Sequence, residues 1–306
     1  MKVMPSIGYE SAGFAAPLDG LNGGGALTVT WAQLVWAAVT VGKAFGDEAA
    51  FGLFSTFERI HRSSMLYAYL LEGPGGALFR AEPYLGADPS EKGNISYSFG
   101  MTLAKLYSEV LLATPRLLHY STYAGGYAIT TGPGGSRPDL IGLTDGGQWV
   151  VFEAKGRSNG LEAGVLATAK AQSLQIETID GLTPICRVGL AAYFAPTGLR
   201  FAVEDPVGAG RRKVEITPAK FVARYDTSLQ RLSENRATRS QRRIDGHQYV
   251  GAEYPEADLF LSFVEAQDDR HRRSLSEAAY LGADGLLVEL GPSWRGDKMT
   301  QQPQLR

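Results

Sequence analysis

The apolar positions fall into runs of helical period, strand alternation and short unbroken stretches. Trp31–Phe45 is apolar nearly all round, the pattern of a central core helix. Asp47–Glu72 opens on two acids, which suit the positive end of a helix dipole, and Gly73-Pro74-Gly75-Gly76 breaks it. Residues 1–25 are Gly-rich and read as irregular. Residues 77–97, with Pro83, Pro89 and Gly93, read as loop. Phe99–Thr114 carries Leu103, Leu106, Tyr107, Val110 and Leu111 on one helical face, and Pro115 closes it. Leu117–Tyr123 predicts a strand, and Gly132-Pro133-Gly134-Gly135 a loop. Asp139–Thr144 and Gln148–Lys155 predict two strands joined at Asp145-Gly146-Gly147, a hairpin signal. Leu161–Ile176 predicts a helix, and Arg187–Phe194 and Leu199–Val203 predict strands. Further on, Thr217 and Pro218 mark the start of a helix running to about Asn235. Helical runs are expected at Glu256–Gln267 and Ser274–Leu281.

This pattern implies an α/β fold: a helix, three strands, a helix and a strand over residues 99–205. A mainly helical region (1–98) precedes it and an extension (206–306) follows. The 306 residues are 44% hydrophobic and 20% charged, an ordinary globular balance that excludes disordered, collagenous and coiled-coil classes. Cys186 is the single cysteine, so a disulfide framework and a Cys-based zinc site are excluded; a reducing cytoplasm fits this usage. No signal peptide is expected. Ala26–Val41, the most apolar window, contains Thr28, Thr30, Gln33 and Thr40 and reads as a buried helix, so no membrane partner is expected.

The net charge of -2 makes any nucleic-acid footprint local. Residues 207–243 supply one: ten basic residues, among them Arg239, Arg242 and Arg243, against the acids Glu215, Asp226 and Glu234. The excess helical N-terminal region is expected to serve a protein partner or homo-oligomer.

The chemistry concentrates at Pro138-Asp139 and Glu153-Ala154-Lys155. Alternation puts Glu153 and Lys155 on one face of a strand, with Val150, Phe152 and Ala154 on the other. The hairpin brings Asp139 towards Glu153. Two clustered carboxylates repel each other and form an oxygen site for Mg2+, with Mn2+ as a substitute; the Ala154 carbonyl is a further candidate ligand. Lys155 would orient the attacking water or neutralise charge on a phosphoryl group.

At these residues the chain resembles the PD-(D/E)xK nuclease superfamily, the restriction-endonuclease-like fold, over roughly residues 99–195. The resemblance implies a metal-dependent nuclease acting on nucleic acid, most naturally DNA; many relatives serve restriction, repair or anti-phage defence. It further implies an acidic helper on the first core helix, here Glu109, and a polar one on the second, here Lys170 or Gln172. The Gln-x-x-x-Tyr pattern of related exonucleases is not matched, since Ile176 follows Gln172 at that spacing. A member of the fold that only binds is one alternative. Another is a serine hydrolase, because Gly156-Arg157-Ser158-Asn159-Gly160 matches G-x-S-x-G between a predicted strand and helix, with Asp226 or Asp245 and His247 or His271 downstream. The four histidines show no metal-ligand spacing among themselves, and His119 reads as a satisfied strand residue.

Overall fold

The computed structural model describes residues 4–42, 53–120, 128–129, 137–233, 239–264 and 273–296. The expected Gly132–Gly135 loop, Asp47, Glu48, Arg236 and His271 lie outside them, as do the ends of the Leu117–Tyr123 and Glu256–Gln267 segments.

The N-terminus is not irregular. β1 (Ser6–Ala12) and β2 (Gly23–Thr28) form an antiparallel pair at one side of the main sheet. Next comes α1 (Trp31–Thr40), where Thr30 Oγ1 accepts the Gln33 N–H at 3.1 Å and every helical residue is buried. α2 (Leu53–Tyr69) leads into the small hairpin β3 (Leu70–Glu72) and β4 (Leu78–Arg80). The expected loop at 77–97 is instead β4, a short α3 (Glu82–Gly86) and the first turns of α4 (Pro89–Leu112). Asp88 caps α4, accepting from the N–H groups of Ser90 and Glu91, and Pro89 occupies the first turn, where its missing N–H costs nothing. A domain boundary at residue 98 would therefore cut a continuous helix.

After α4 the chain forms β5 (Arg116–His119), β6 (Ala128–Ile129), β7 (Leu140–Leu143) and β8 (Trp149–Gly156). β5, β7 and β8 are an antiparallel meander, with Leu118 opposite Ile141 and Leu140 opposite Phe152. α5 (Val165–Ser173) and the short β9 (Ile176–Ile179) follow. β10 (Cys186–Ala195) then pairs parallel with β8, and β11 (Gly198–Glu204) antiparallel with β10. A parallel return needs a crossover, and α5 supplies it. The seven-stranded mixed sheet runs β2-β1-β11-β10-β8-β7-β5. α4 lies against β8 on one face and α5 on the other, so β8 is buried over its first six residues.

The last third is a second sheet. β12 (Arg212–Glu215) joins β6 and β9 in a three-stranded sheet, and α6 (Pro218–Ser233) begins at Pro218, as its sequence implies. β13 (Arg239–Ile244), β14 (His247–Tyr254), β15 (Leu259–Phe263), β16 (Arg273–Ser276), β17 (Ala279–Leu281) and β18 (Leu286–Leu290) make a six-stranded antiparallel sheet. The helices expected at 256–267 and 274–281 are strands where they are described. Runs as short as Leu259–Phe263 are buried on both faces, so they carry no period that separates strand from helix. α1 lies between the two sheets, touching α4 on one side and β17 and β18 on the other. α1 is thus interior to the chain and offers no surface for a partner, whereas α2 of the same region has exposed residues such as Phe57. Among the described residues no helix is long and apolar enough to cross a membrane.

A buried polar cluster ties these layers together. The Lys105 ammonium of α4 donates to the Pro115 carbonyl and to the Tyr225 hydroxyl at 2.6 Å, and lies 3.5 Å from Asp284 Oδ2. Asp284 accepts from Trp36 Nε1 at 2.9 Å and from the Tyr225 hydroxyl at 2.8 Å. Lys105 also sits 4.6 Å over the Trp36 ring.

Candidate active site

β8 carries the candidate chemistry at its C-terminal end. A Cβ on Gly156 would fall 1.8 Å from the Ser96 carbonyl, so Gly156, with Ala154 and Phe152, faces α4. Gly189 is the register partner of Glu153, and a Cβ there would fall 2.8 Å from the Lys170 backbone nitrogen. Glu153 and Lys155 therefore share the α5 side of the sheet. Asp139 immediately precedes β7, and its Oδ2 accepts the Ala154 N–H at 3.0 Å. One residue beyond the Leu140–Phe152 pair, Asp139 comes opposite Glu153.

Glu153 is 1% exposed. Its Oε1 is paired with the Lys155 ammonium, and its Oε2 is buried with no hydrogen-bond partner. Burial, and then the charge of Asp139, raises the Glu153 carboxyl above the usual carboxylate range, with Lys155 opposing. Burial raises Asp139 as well, opposed by the Ala154 N–H, Lys155 and His119. A buried and a half-buried carboxylate thus lie close together, with the Lys155 ammonium paired to Glu153 and its charge also favouring ionised Asp139. Hard oxygen donors and an unpartnered buried carboxylate oxygen fit Mg2+, which takes one or two protein carboxylates and completes its shell with water and phosphate. Among the described residues, no cluster of three or more His, Cys, Asp or Glu side chains could hold a metal. Asp139 and Glu153 are accordingly the protein ligands such an ion would find.

The structure does not bring Glu109 to this pair. It lies nine residues beyond Gly100, the α4 residue packed on the Lys155 carbonyl, or about 13 Å along the helix. Its carboxylate accepts from the Tyr280 hydroxyl at 2.6 Å and the Ala283 N–H at 3.0 Å, beside the Lys105 cluster. Gln172 is on α5, the helix covering the Glu153 face, with its Oε1 buried and unpartnered. Lys170 is committed to Glu204 on β11.

Ser158 is not on a nucleophile elbow: α5 starts at Val165, seven residues later. Its carbonyl accepts from Arg80 at 3.0 Å. Asp226 is held by Arg116 at 3.0 Å, and Asp245 and His247 flank the exposed β13–β14 turn. The arginines of the basic stretch divide. Arg239 and Arg243 are exposed on β13, whereas Arg242 is held by both oxygens of Glu253, at 2.8 and 2.9 Å.

Two residues beside the site were not expected. Tyr97 on α4 is pushed up to about 12 by burial, then by Asp139 and Glu153, so its hydroxyl stays protonated. His119 ends β5, next to Tyr120, whose N–H donates to the Asp139 carbonyl at 2.7 Å. Both line a cavity of about 280 Å3 under α1 and α2. The Asp88-Pro89-Ser90-Glu91 capping pattern is the signal that would have placed Tyr97 on a helix. No family model, curated protein or solved structure matches the chain.

Proposed function

We propose that the chain is a metal-dependent nuclease with a restriction-endonuclease-like core: α4, the β5–β7–β8 meander, α5, and β10 parallel to β8. The observation that carries this reading is the Asp139–Glu153 pair at the end of β8, a buried and a half-buried carboxylate opposite each other, with Lys155 paired to Glu153. Asp139 and Glu153 would hold Mg2+, or Mn2+ in its place. When bound, the ion lowers the pKa of water and stabilises charge on a phosphoryl oxygen. The Ala154 N–H fixes the Asp139 carboxylate, and Glu153 fixes Lys155. The Lys155 side chain is 23% exposed, so its ammonium can turn from Glu153 to a substrate phosphate and offset the charge that develops there.

The defining experiment incubates supercoiled plasmid, single-stranded DNA and RNA with the protein in Mg2+ and in EDTA. Cleavage of DNA in Mg2+ alone is expected. Intact substrates throughout would overturn the reading. Participation in restriction or anti-phage defence rests on the resemblance alone.

A further inference from the structure

The cavity under α1 and α2, at the end of the sheet that carries the carboxylates, has the size, lining and placement of a substrate subsite. Its volume of about 280 Å3 is at the lower limit of small-molecule pockets, roughly 300 Å3, enough for one flat ring system and far too little for a duplex. Met65, Leu66 and Met101 line it with polarizable, apolar surface. Arg62, His119 and Tyr97 add polar and π-bearing groups. Arg62 is fixed there, because its guanidinium donates to Glu58 and to the Ala38 and Val41 carbonyls at the end of α1. Apolar walls with hydrogen-bonding groups match a heterocyclic base, whose faces are apolar and whose edges are polar.

Placement ties the cavity to the chemistry. Ser96, the neighbour of Tyr97, packs its carbonyl directly on Gly156, one residue past Lys155. His119 is one residue from the backbone group that holds Asp139. Tyr97 experiences the charges of Asp139, Glu153 and Arg62 together. The cavity lies on the α4 side of the sheet at the end of β8 whose other side carries Glu153 and Lys155, with Tyr97 next to the Ser96–Gly156 contact and His119 next to the Tyr120–Asp139 hydrogen bond.

We propose that this cavity receives the nucleobase of the nucleotide whose phosphate lies at Asp139 and Glu153, so that the substrate is engaged with one base out of its stack. The inference rests on the nuclease reading for the identity of the phosphate. It makes single-stranded or locally opened nucleic acid the substrate class, because unstacking a paired base costs a few kcal/mol and an unpaired one less.

The test separates base binding from cutting. Single-stranded oligonucleotides carrying 2-aminopurine at one position each are titrated with the protein in EDTA, and the same strands are then incubated with Mg2+. Wild type should bind single strands more tightly than the matching duplex, and a 2-aminopurine signal change should occur at a defined position. Met65→Trp, which fills the cavity, should remove that change and weaken binding about tenfold, the loss of one stacked base. Tyr97→Ala should do the same at a partly exposed position where folding is not at stake. A signal change that persists unaltered in both variants, or no change at any position, overturns the base pocket. A position-specific change in EDTA that both variants abolish, with no cleavage in Mg2+, upholds the pocket and overturns the nuclease reading instead.

Discussion

Glu153 and Lys155 are two residues apart on one strand, and each is the other's partner. Replacing either leaves a charge behind. Glu153→Gln keeps the shape and one hydrogen-bonding oxygen but removes the metal-binding charge, and Lys155→Ala removes the group that meets developing phosphate charge. Each should lower Mg2+-dependent cleavage by about a hundredfold or more, with a retained circular-dichroism spectrum. Cleavage by both variants at the wild-type rate would remove these residues from the site. Ser158→Ala should cut at the wild-type rate, and wild type should not hydrolyse an activated ester, since Ser158 lies seven residues ahead of α5 rather than on a strand-to-helix elbow; loss of cutting in that variant would contradict this. At this scale the strand residues were legible because alternation and the Asp145-Gly146-Gly147 turn fix which side chains meet. Glu109 was not: a helical face can be read from the sequence, but the turn of the helix that meets the end of β8 is set by Gly100 and Gly156, a tertiary contact.

Among the elements, the α4–β8 contact has the least room. A methyl group on Gly156 would overlap the Ser96 carbonyl at 1.8 Å, and neither backbone can yield without moving the strand that carries Lys155. Gly156→Ala is expected to cost about 1–3 kcal/mol in urea denaturation and to abolish cleavage. Gly160→Ala, where nothing lies within 4 Å, serves as the control with unchanged stability. On the β13–β14 hairpin, the exposed Arg239 and Arg243 are the phosphate-binding candidates, and Arg242 is a cross-strand tie to Glu253. Reversing Arg239 and Arg243 to Glu should weaken nucleic-acid binding and flatten its salt slope by about 0.9 for each duplex-DNA phosphate no longer neutralised. Reversing Arg242 should lower the melting temperature. Unaltered anisotropy titrations in the double variant would move the phosphate track to Arg80 and Arg157, beside the end of β8. The elements missed from sequence have physical reasons. β2 begins Gly23-Gly24-Gly25, which reads as turn, and the short strands of the second sheet are buried by partners far along the chain.

For the whole molecule, the Lys105–Asp284–Glu109 cluster sets how stability answers to pH. Burial, and then Asp284, pushes the Glu109 carboxyl up to about 7, well above its ordinary 4.5. Between those values the folded chain keeps a proton that the unfolded chain has released. Folding stability from this group therefore falls as pH rises from about 4.5 to 7, by up to about 1.4 kcal/mol per unit. Glu109→Gln keeps an acceptor for the Tyr280 hydroxyl and removes the titration. Relative to wild type, it should gain stability between pH 5 and pH 7.5 in urea melts; an equal difference at both pH values would mean Glu109 stays ionised throughout.

The pairing of β1 with β11 sets Gly8 opposite Arg200, and Lys105 meets Asp284, 179 residues further along the chain. During synthesis at about 5–20 residues per second, β1 waits on the order of ten to forty seconds for its partner strand to emerge. Over that interval α1, apolar nearly all round, has neither the second sheet nor Asp284 to cover it. The nascent chain thus leaves the face of α1 that later meets β17 and β18 open to water until the closing strands arrive.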